Sequence, residues 1–238
     1  MRLMILAAGR GTRMGQLTEA TPKPLLEVAG KALIEHTVER ARWAGFRDIV
    51  VNLAYLGHRI VERLGDGSRL GVRIRYSWER EGALDSGGGI HAALPLLGGG
   101  PFAVVNADVW TDFPLARLRG HAHIGRPIGR RERTPTLAHL VLVKNAPHHP
   151  LGDFALDHHG LARPSGAVQW TFSGIGAYHP DLFTGCTEAA FPLAPLLREQ
   201  MRHDAVTAEI HPGLWYDVGT PERLHEIRCS GAEERRQM

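Results

Sequence analysis

The chain has 238 residues, of which 43% are hydrophobic and 22% charged, and its net charge is +3 with histidine neutral. These values are ordinary for a globular protein, and the charge is far too small for a nucleic-acid-binding footprint. Two cysteines are too few for a disulfide scaffold or a zinc site. Since no apolar run is long enough to span a bilayer and no signal-peptide pattern is visible, we expect a cytoplasmic protein that binds neither membrane nor nucleic acid.

The N-terminal stretch predicts a phosphate-binding loop. The apolar run at residues 3–8 predicts a buried strand, and Gly9 and Gly11 then allow a sharp turn whose main-chain N–H groups can face phosphate oxygens. Arg13 and Lys23 add fixed positive charge at either end of this loop. The glycines alone could make a plain surface turn, but the added cations favour a nucleotide phosphate site.

Two common phosphate motifs are absent from this stretch. The dinucleotide-binding fingerprint G-x-G-x-x-G requires glycine at its sixth position, where this chain has Met14. No window supplies the P-loop pattern G-x-x-x-x-G-K-[ST]. The loop therefore belongs to another class of nucleotide site.

Strands and helices alternate along the first half of the chain. Further strands are predicted at 48–53, 72–76, 102–105, 137–143, 153–156, 168–178 and 206–210. Helices are predicted at 32–44, 56–64, 192–201 and from 222, with another opened by a glycine hinge at 87–89 and stopped by Pro95. Alternation of this kind predicts a parallel sheet with helices on both faces and a ligand site beyond the carboxyl ends of the strands.

The second half contains two segments without apolar periodicity. Residues 119–136 are rich in arginine and predict a flexible insertion loop, which could clamp a ligand but is more simply explained as solvated. Residues 228–238 predict a charged, disordered tail. We therefore expect one domain over residues 1–227.

Two aspartates are candidate metal ligands. Asp108 follows a predicted strand, and Asp217 precedes a predicted helix. Mg²⁺ is commonly held by one or two carboxylates together with substrate phosphates. Taken singly, each aspartate is explained as a turn or helix-start residue. The two indicate a metal site only in combination with the phosphate loop. His148 and His149 lack a third ligand at suitable spacing, which favours a loop pair near a ligand, or plain solvent exposure, over a metal site.

The ordered set of motifs resembles the sugar-1-phosphate nucleotidyltransferases. The resemblance rests on the glycine loop with residues 22–24, on 106–108 and on 215–220. Within that family, residues 85–89, 148–154 and 172–175 are most similar to the uridylyltransferases that act on N-acetylmuramate 1-phosphate in cell-wall recycling.

This resemblance implies a fold, a reaction and a set of site residues. The implied fold is a three-layer α/β/α nucleotide-diphospho-sugar transferase with a central mixed, mainly parallel sheet. The implied reaction is Mg²⁺-assisted transfer of a uridylyl group from UTP to a sugar 1-phosphate, with release of pyrophosphate. The implied nucleotide-binding residues are Leu6, Ala7, Ala8, Gly9, Gly11, Thr12, Arg13, Lys23, Gly87 and Gly88, of which Arg13 and Lys23 are catalytic. The implied sugar-phosphate-binding residues are Asn106, Gly152, Asp153 and Gly174, and the implied Mg²⁺ ligands are Asp108 and Asp217.

Two other functions remain open from the sequence. One is transfer of another nucleotide to another sugar, as in a mannose-1-phosphate guanylyltransferase. The other is a non-catalytic, nucleotide-binding regulatory subunit. We expect a monomer or a weak homodimer.

Overall fold

One mixed sheet carries most of the ordered elements in the computed structural model, which describes residues 1–79, 84–125, 135–187 and 189–234. The strands are β1 (Arg2–Leu6), β2 (Glu27–Val28), β3 (Lys31–Ala32), β4 (Asp48–Leu53), β5 (Arg73–Trp78), β6 (Phe102–Asn106), β7 (Val109–Thr111), β8 (Ala138–Val143), β9 (Phe154–Leu156), β10 (Ala162–Arg163), β11 (Gln169–Tyr178), β12 (Val206–His211) and β13 (Trp215–Asp217). The helices are α1 (Leu33–Trp43), α2 (Gly57–Leu64), α3 (Asp85–Leu97), α4 (Ala116–Arg119), α5 (Leu193–Arg202) and α6 (Pro221–Glu234).

The sheet is mixed and mainly parallel, as predicted. Strands β5, β4, β1 and β6 lie side by side and parallel. Strand β11 then pairs antiparallel with β6 and also with β8, and β12 runs parallel to β8. Because these four neighbouring strands run in the same direction, their carboxyl ends lie at one edge of the sheet.

Helices cover both faces of this sheet, which confirms the three-layer α/β/α prediction. Alternate side chains of β1 point to opposite faces. Leu3 and Ile5 pack in a core with α1 and α2, whereas Met4 packs in a second core with α3 and α5. The residues of both cores are buried. Strands that are buried on both faces have continuous apolar runs in their sequences, as the central strands do here.

Helix α3 differs from its prediction in two ways. It begins at Asp85, so the three glycines lie inside the helix and do not form a hinge before it. The helix also continues past Pro95 to Leu97, because proline removes only its own N–H and the Gly98 N–H still bonds the Leu94 carbonyl at 2.9 Å.

The two segments predicted to be flexible are partly ordered. Arg119 ends α4, and its guanidinium donates a hydrogen bond to the Gly45 carbonyl at 2.9 Å, so the predicted loop begins as anchored structure. Residues 126–134 of that loop lie outside the described residues. Helix α6 runs to Glu234, which contradicts the predicted disorder from residue 228. It is held there by buried Ile227 and by a bond from Arg228 Nε to the Glu27 carbonyl at 2.8 Å. Residues 235–238 are not described.

Two short ribbons were absent from the sequence prediction. Strands β2 and β3 form one, and β7 and β13 form the other. The second ribbon joins the end of β6 to the start of α6 and so contributes to the edge where the strands end. None of the helices in the described ranges is long and apolar enough to cross a bilayer.

Candidate active site

Gly11 turns the chain at the start of the loop after β1. Gly11 has φ of 67°, and its carbonyl accepts hydrogen bonds from the Met14 N–H at 2.9 Å and from the Thr18 hydroxyl at 3.0 Å. A Cβ on Gly11 would lie 3.1 Å from the Cβ of Lys23. Glycine therefore allows both the turn and the close approach of Lys23. Met14, the residue that excluded a dinucleotide fingerprint, is buried against α6 and anchors the loop.

A first cavity of about 330 Å³ opens at the carboxyl ends of the parallel strands. The predicted nucleotide-binding residues from β1, its loop and the following segment all line this cavity: Leu6, Ala7, Ala8, Gly9, Gly11, Thr12, Arg13 and Lys23. The structure thus brings together the main-chain amides and the two cations that the sequence predicted for a phosphate site.

A second cavity of about 400 Å³ adjoins the first. Arg13, Asn106 and Asp108 line both cavities, so these side chains form their junction. Gly174 and Asp217 line the second cavity, together with Phe172 and Trp215. Two ligands placed in the two cavities would therefore meet beside one arginine and one aspartate.

Lys23 and Asp108 form an ion pair at this junction. Lys23 is only 8% exposed, and the Asp108 side chain is 27% exposed. An ammonium group held this way is a fixed positive charge in a poorly hydrated place, where its interaction with phosphate is strongest. The pair also keeps the Asp108 carboxylate from repelling an incoming anion.

The ribbon of β7 and β13 brings the second predicted metal ligand beside the first. Asp217 lies opposite Val109 in the ribbon, and the Val218 N–H donates to the main-chain carbonyl of Asp108 at 2.8 Å. Arg223, from the first turn of α6, forms an ion pair with Asp217. Asp108 Oδ1 and Asp217 Oδ2 make no hydrogen bond to the described residues, and hard carboxylate oxygens of this kind suit Mg²⁺.

Asn52 and Glu79 are among the cavity-lining residues that sequence reasoning missed. The Asn52 amide accepts a hydrogen bond from the Ala7 N–H at 2.8 Å and donates one to Glu79 Oε1 at 2.7 Å. Glu79 Oε2 accepts from the Leu84 N–H at 2.7 Å, and burial raises the pKa of the Glu79 carboxyl. Their positions in the chain were the available signal. Asn52 is the last residue but one of β4 and Glu79 directly follows β5, at the same edge as the glycine loop.

The glycines predicted to border the nucleotide do not line either cavity. The N–H groups of Gly87 and Gly88 donate to the Phe191 carbonyl at 3.0 and 3.1 Å. A Cβ on Gly87 would lie 2.4 Å from the Phe191 ring, so this glycine permits close packing of α3. Asp85 and Ser86, which directly precede these glycines, line the first cavity instead.

Gly152 and Asp153, predicted to contact the sugar phosphate, are not among the residues that line the second cavity. Asp153 Oδ2 accepts a hydrogen bond from the Phe172 N–H at 2.7 Å, and Oδ1 lies 3.1 Å from His149 Nε2. His148 and His149 both line the cavity, because this part of the chain is a turn closed by a bond from the His149 N–H to the Ala146 carbonyl. They are therefore a loop pair beside the site.

A separate group, His121, His139 and Glu209, has ligand atoms within 4.8 Å of one another. These residues line neither cavity. The two imidazole rings are stacked, with centroids 3.6 Å apart and planes 15° from parallel. Since an imidazole lone pair lies in the plane of its own ring, one ion cannot be coplanar with both rings in this arrangement. The group is not a preformed metal site.

Comparison with known proteins agrees with this geometry. A family model described as nucleotidyl transferase matches residues 2–126. An N-acetylmuramate alpha-1-phosphate uridylyltransferase from Neisseria meningitidis is 50% identical over 96% of this chain and 97% of its own length. A mannose-1-phosphate guanylyltransferase catalytic subunit beta from Danio rerio is more distant, at 28% identity over all of this chain and 66% of its own length.

The fold has a counterpart among solved structures. A crystal structure of UDP-glucose pyrophosphorylase with UDP-glucose superposes with a TM-score of 0.77, covering 98% of both chains at 19% identity. At this identity the likeness concerns the fold alone, which is that of the nucleotide-diphospho-sugar transferases. Together with the family match and the 50% identical relative, it shows that this chain belongs to the sugar-1-phosphate nucleotidyltransferases of the nucleotidyl transferase family.

Proposed function

We propose that this enzyme transfers the uridylyl group of UTP to N-acetylmuramate 1-phosphate. The choice of base and sugar is supported by the named activity of the 50% identical relative. The observation that carries the reaction type is the junction of the two cavities at Arg13, Asn106 and Asp108. A transfer between two phosphorylated substrates needs two adjoining anion sites of this kind.

The first cavity would hold UTP. The main-chain amides from Gly9 to Arg13 would surround the triphosphate, while Arg13 and Lys23 would stabilise charge on the reacting phosphates. Side chains Asn52 and Glu79 line the same cavity farther along the strand ends. The phosphates would thus lie toward the second cavity and the remainder of the nucleotide away from it.

The second cavity would hold the sugar phosphate. Asn106, at the junction, would contact its phosphate, and Gly174 packs directly against the Asn106 side chain. The predicted contribution of Gly152 and Asp153 would be indirect, through the turn that contains His149. In this arrangement the phosphate of the sugar would face the phosphates of the nucleotide.

Asp108 and Asp217 would hold Mg²⁺ through the carboxylate oxygens that are free of hydrogen bonds. When bound, the ion would neutralise phosphate charge during the transfer. Lys23 and Arg223 hold the two carboxylates in place by ion pairs. The donor set therefore fits a hard divalent cation.

The transfer would be a single in-line displacement. A non-bridging oxygen of the sugar phosphate attacks the α-phosphorus, a new P–O bond forms, and the bond from the α-phosphorus to the oxygen bridging it to the β-phosphorus breaks. The products are the UDP-sugar and pyrophosphate. Because a phosphate monoester is mostly dianionic above its second pKa of about 6, the nucleophile needs no general base. The enzyme's task is to align two anions and stabilise the charge.

A pyrophosphate-release panel tests this function. Each of the four nucleoside triphosphates is combined with the 1-phosphates of N-acetylmuramate, N-acetylglucosamine, glucose and mannose, with Mg²⁺ and with a chelator. We expect the highest kcat/KM for UTP with N-acetylmuramate 1-phosphate and no release with the chelator. A preference for GTP with mannose 1-phosphate would replace the proposed substrates. Nucleotide binding without pyrophosphate release from any pair would indicate a regulatory subunit.

The proposed substrates also suggest a metabolic role and a cellular location. N-acetylmuramate is a cell-wall sugar, so the reaction would return it to the nucleotide-activated pool in cell-wall recycling. We propose that it does so in the cytoplasm, where UTP is available, as a monomer or weak homodimer.

A further inference from the structure

The second cavity is lined by two histidines, His148 and His149, to which the proposed transfer assigns no role. Three basic residues line this cavity: Arg13, His148 and His149. Arg13 also lines the first cavity and is therefore assigned to the phosphates. His148 Nε2 faces Asp217 Oδ1 at 3.4 Å, which places it beside the proposed metal ligand. His149 lines the same cavity, and its hydrogen-bond partner is Asp153 and not a proposed metal ligand, so of the two histidines it is the one left for the sugar.

The carboxylate of Asp153 fixes the orientation of the His149 ring. Asp153 is itself held by the Phe172 N–H through Oδ2, so its Oδ1 has a defined position 3.1 Å from His149 Nε2. A carboxylate oxygen can only accept, so Nε2 carries the hydrogen of this bond. Nδ1 of His149 makes no hydrogen bond to any residue in the described ranges and is available to a ligand.

The charge around the second cavity suits an acidic ligand. Each carboxylate beside it already has a cationic or N–H partner: Asp108 has Lys23, Asp217 has Arg223, and Asp153 has the Phe172 N–H. An imidazolium between Asp153 and a second carboxylate can donate one N–H to each. Such charge-assisted hydrogen bonds are stronger than those between neutral groups.

We infer that His149 recognises the sugar through an acidic substituent on the pyranose ring, with Asp153 as its positioning residue. This inference depends on the proposed function, under which the sugar is N-acetylmuramate 1-phosphate. N-acetylmuramate differs from N-acetylglucosamine by an ether-linked lactyl group that ends in a carboxylate. His149 Nδ1 binds that carboxylate, and the contact selects one sugar phosphate over the other.

Calorimetric titration of two sugar phosphates tests the inference. N-acetylmuramate 1-phosphate and N-acetylglucosamine 1-phosphate are each titrated into full-length enzyme saturated with Mg²⁺ and a non-hydrolysable UTP analogue. The variants are His149→Gln, whose amide can still reach Asp153 but lacks Nδ1, and Asp153→Asn. The matched control is His159→Gln, because His159 is an exposed histidine that lines neither cavity.

We expect His149→Gln to weaken binding of N-acetylmuramate 1-phosphate roughly 10- to 100-fold, the range for losing a hydrogen bond to a charged group. Binding of N-acetylglucosamine 1-phosphate and of the UTP analogue should change by less than about threefold. Asp153→Asn should show the same pattern to a smaller extent, and His159→Gln should match the wild type.

Two results would overturn the inference while the proposed function stands. One is equal weakening of both sugar phosphates, which would indicate a phosphate contact or a structural role. The other is unchanged binding of both to His149→Gln. If the wild-type enzyme binds neither sugar phosphate, the proposed function itself fails, and the inference fails with it.

Discussion

The ammonium of Lys23 and the carboxylate of Asp108 form an ion pair where the two cavities of the candidate active site meet. One residue comes from the segment after the glycine loop and the other lies two residues after β6, so the pair joins the two halves of the site. An anion that reaches this junction meets a positive charge that is already fixed in place. Preorganised charge of this kind stabilises a transition state without further rearrangement.

Replacing the buried ammonium should therefore slow the reaction. We expect Lys23→Met, which keeps the apolar stem, to lower kcat/KM for pyrophosphate release by about 10² to 10³. The exposed Lys31, paired with Glu39 on the surface, provides the control variant Lys31→Met, which should retain wild-type kinetics. Unchanged kinetics in Lys23→Met would remove Lys23 from the catalytic machinery.

Removing one charge from Asp217 should weaken the response to Mg²⁺. Asp217→Asn should lower kcat/KM by about 100-fold or more and require more Mg²⁺ for half-maximal activity, because one of two carboxylate ligands is lost. Pyrophosphate release is measured over a series of Mg²⁺ concentrations, together with the melting temperature. Asp48→Asn, at the start of β4 and paired with Arg73, is the control. A variant with normal Mg²⁺ dependence would exclude Asp217 as a ligand.

A methyl group added to Gly87 should destabilise the packing of α3. Its Cβ would lie 2.4 Å from the Phe191 ring and 2.8 Å from the Phe191 carbonyl oxygen. After allowing for the better helix propensity of alanine, we expect Gly87→Ala to lower the free energy of unfolding by about 1–2 kcal/mol. Gly99→Ala, where a Cβ meets no atom within 4 Å, should have almost no effect in the same urea titration. Equal stabilities would refute the packing role.

A buried carboxylate on α1 should make the fold acid-sensitive. Glu35 accepts hydrogen bonds from the Ala32 N–H at 3.1 Å, from Arg63 at 2.7 Å and from Arg69 at 3.2 Å. Burial raises the pKa of Glu35, but these three bonds outweigh burial and hold the pKa below its ordinary value. Its contribution to stability is therefore present above about pH 4.5 and is lost as the pH falls through the folded-state pKa.

The corresponding variant is Glu35→Gln. We expect it to lose about 1–3 kcal/mol of unfolding free energy at pH 7, with a smaller difference from wild type near pH 3. Glu62→Gln, on the exposed face of α2, is the control and should be neutral. Urea titrations at both pH values measure the difference, and a constant difference would contradict the account.

The stacked histidines His121 and His139 predict a second pH range in which the folded state loses stability. Burial, reinforced by the neighbouring His139, lowers the pKa of His121 to about 4. The unfolded chain, with a histidine pKa of about 6.5, then binds more protons between these two values, so stability should fall as the pH drops from about 6.5 to about 4. Urea midpoints at pH 7 and pH 5 should differ less in His121→Gln than in the wild type. His58→Gln, at an exposed histidine on α2, should behave as the wild type.

Much of the site was predictable because its key residues follow strands directly. Gly11, Arg13 and Lys23 lie in a short segment after β1, and Asp108 comes two residues after β6, so strand order alone brought them to one edge. Asn52 lies at the same edge, but a single asparagine near a strand end carries no motif. Only the parallel pairing of β4 with β1 makes it part of the cavity.

The predictions that the cavity geometry does not directly support depend on tertiary contacts. The glycines at Gly87 and Gly88 indicate close approach, but the sequence does not say whether a ligand or Phe191 approaches them. Asp153 is a polar loop residue whose partners, the Phe172 N–H and His149, come together only after β11 pairs with β9. The order of α6 beyond residue 227 likewise depends on its contact with Glu27.

The central claim is a direct attack of the sugar phosphate on the α-phosphorus across the junction of the two cavities. The stereochemistry at that phosphorus tests it most directly. A single diastereomer of UTP with sulfur on the α-phosphorus is converted with N-acetylmuramate 1-phosphate, and the configuration of the product is determined by phosphorus NMR. We predict inversion, as a single in-line displacement requires. Retention would demonstrate two displacements through a covalent enzyme intermediate and would contradict the account.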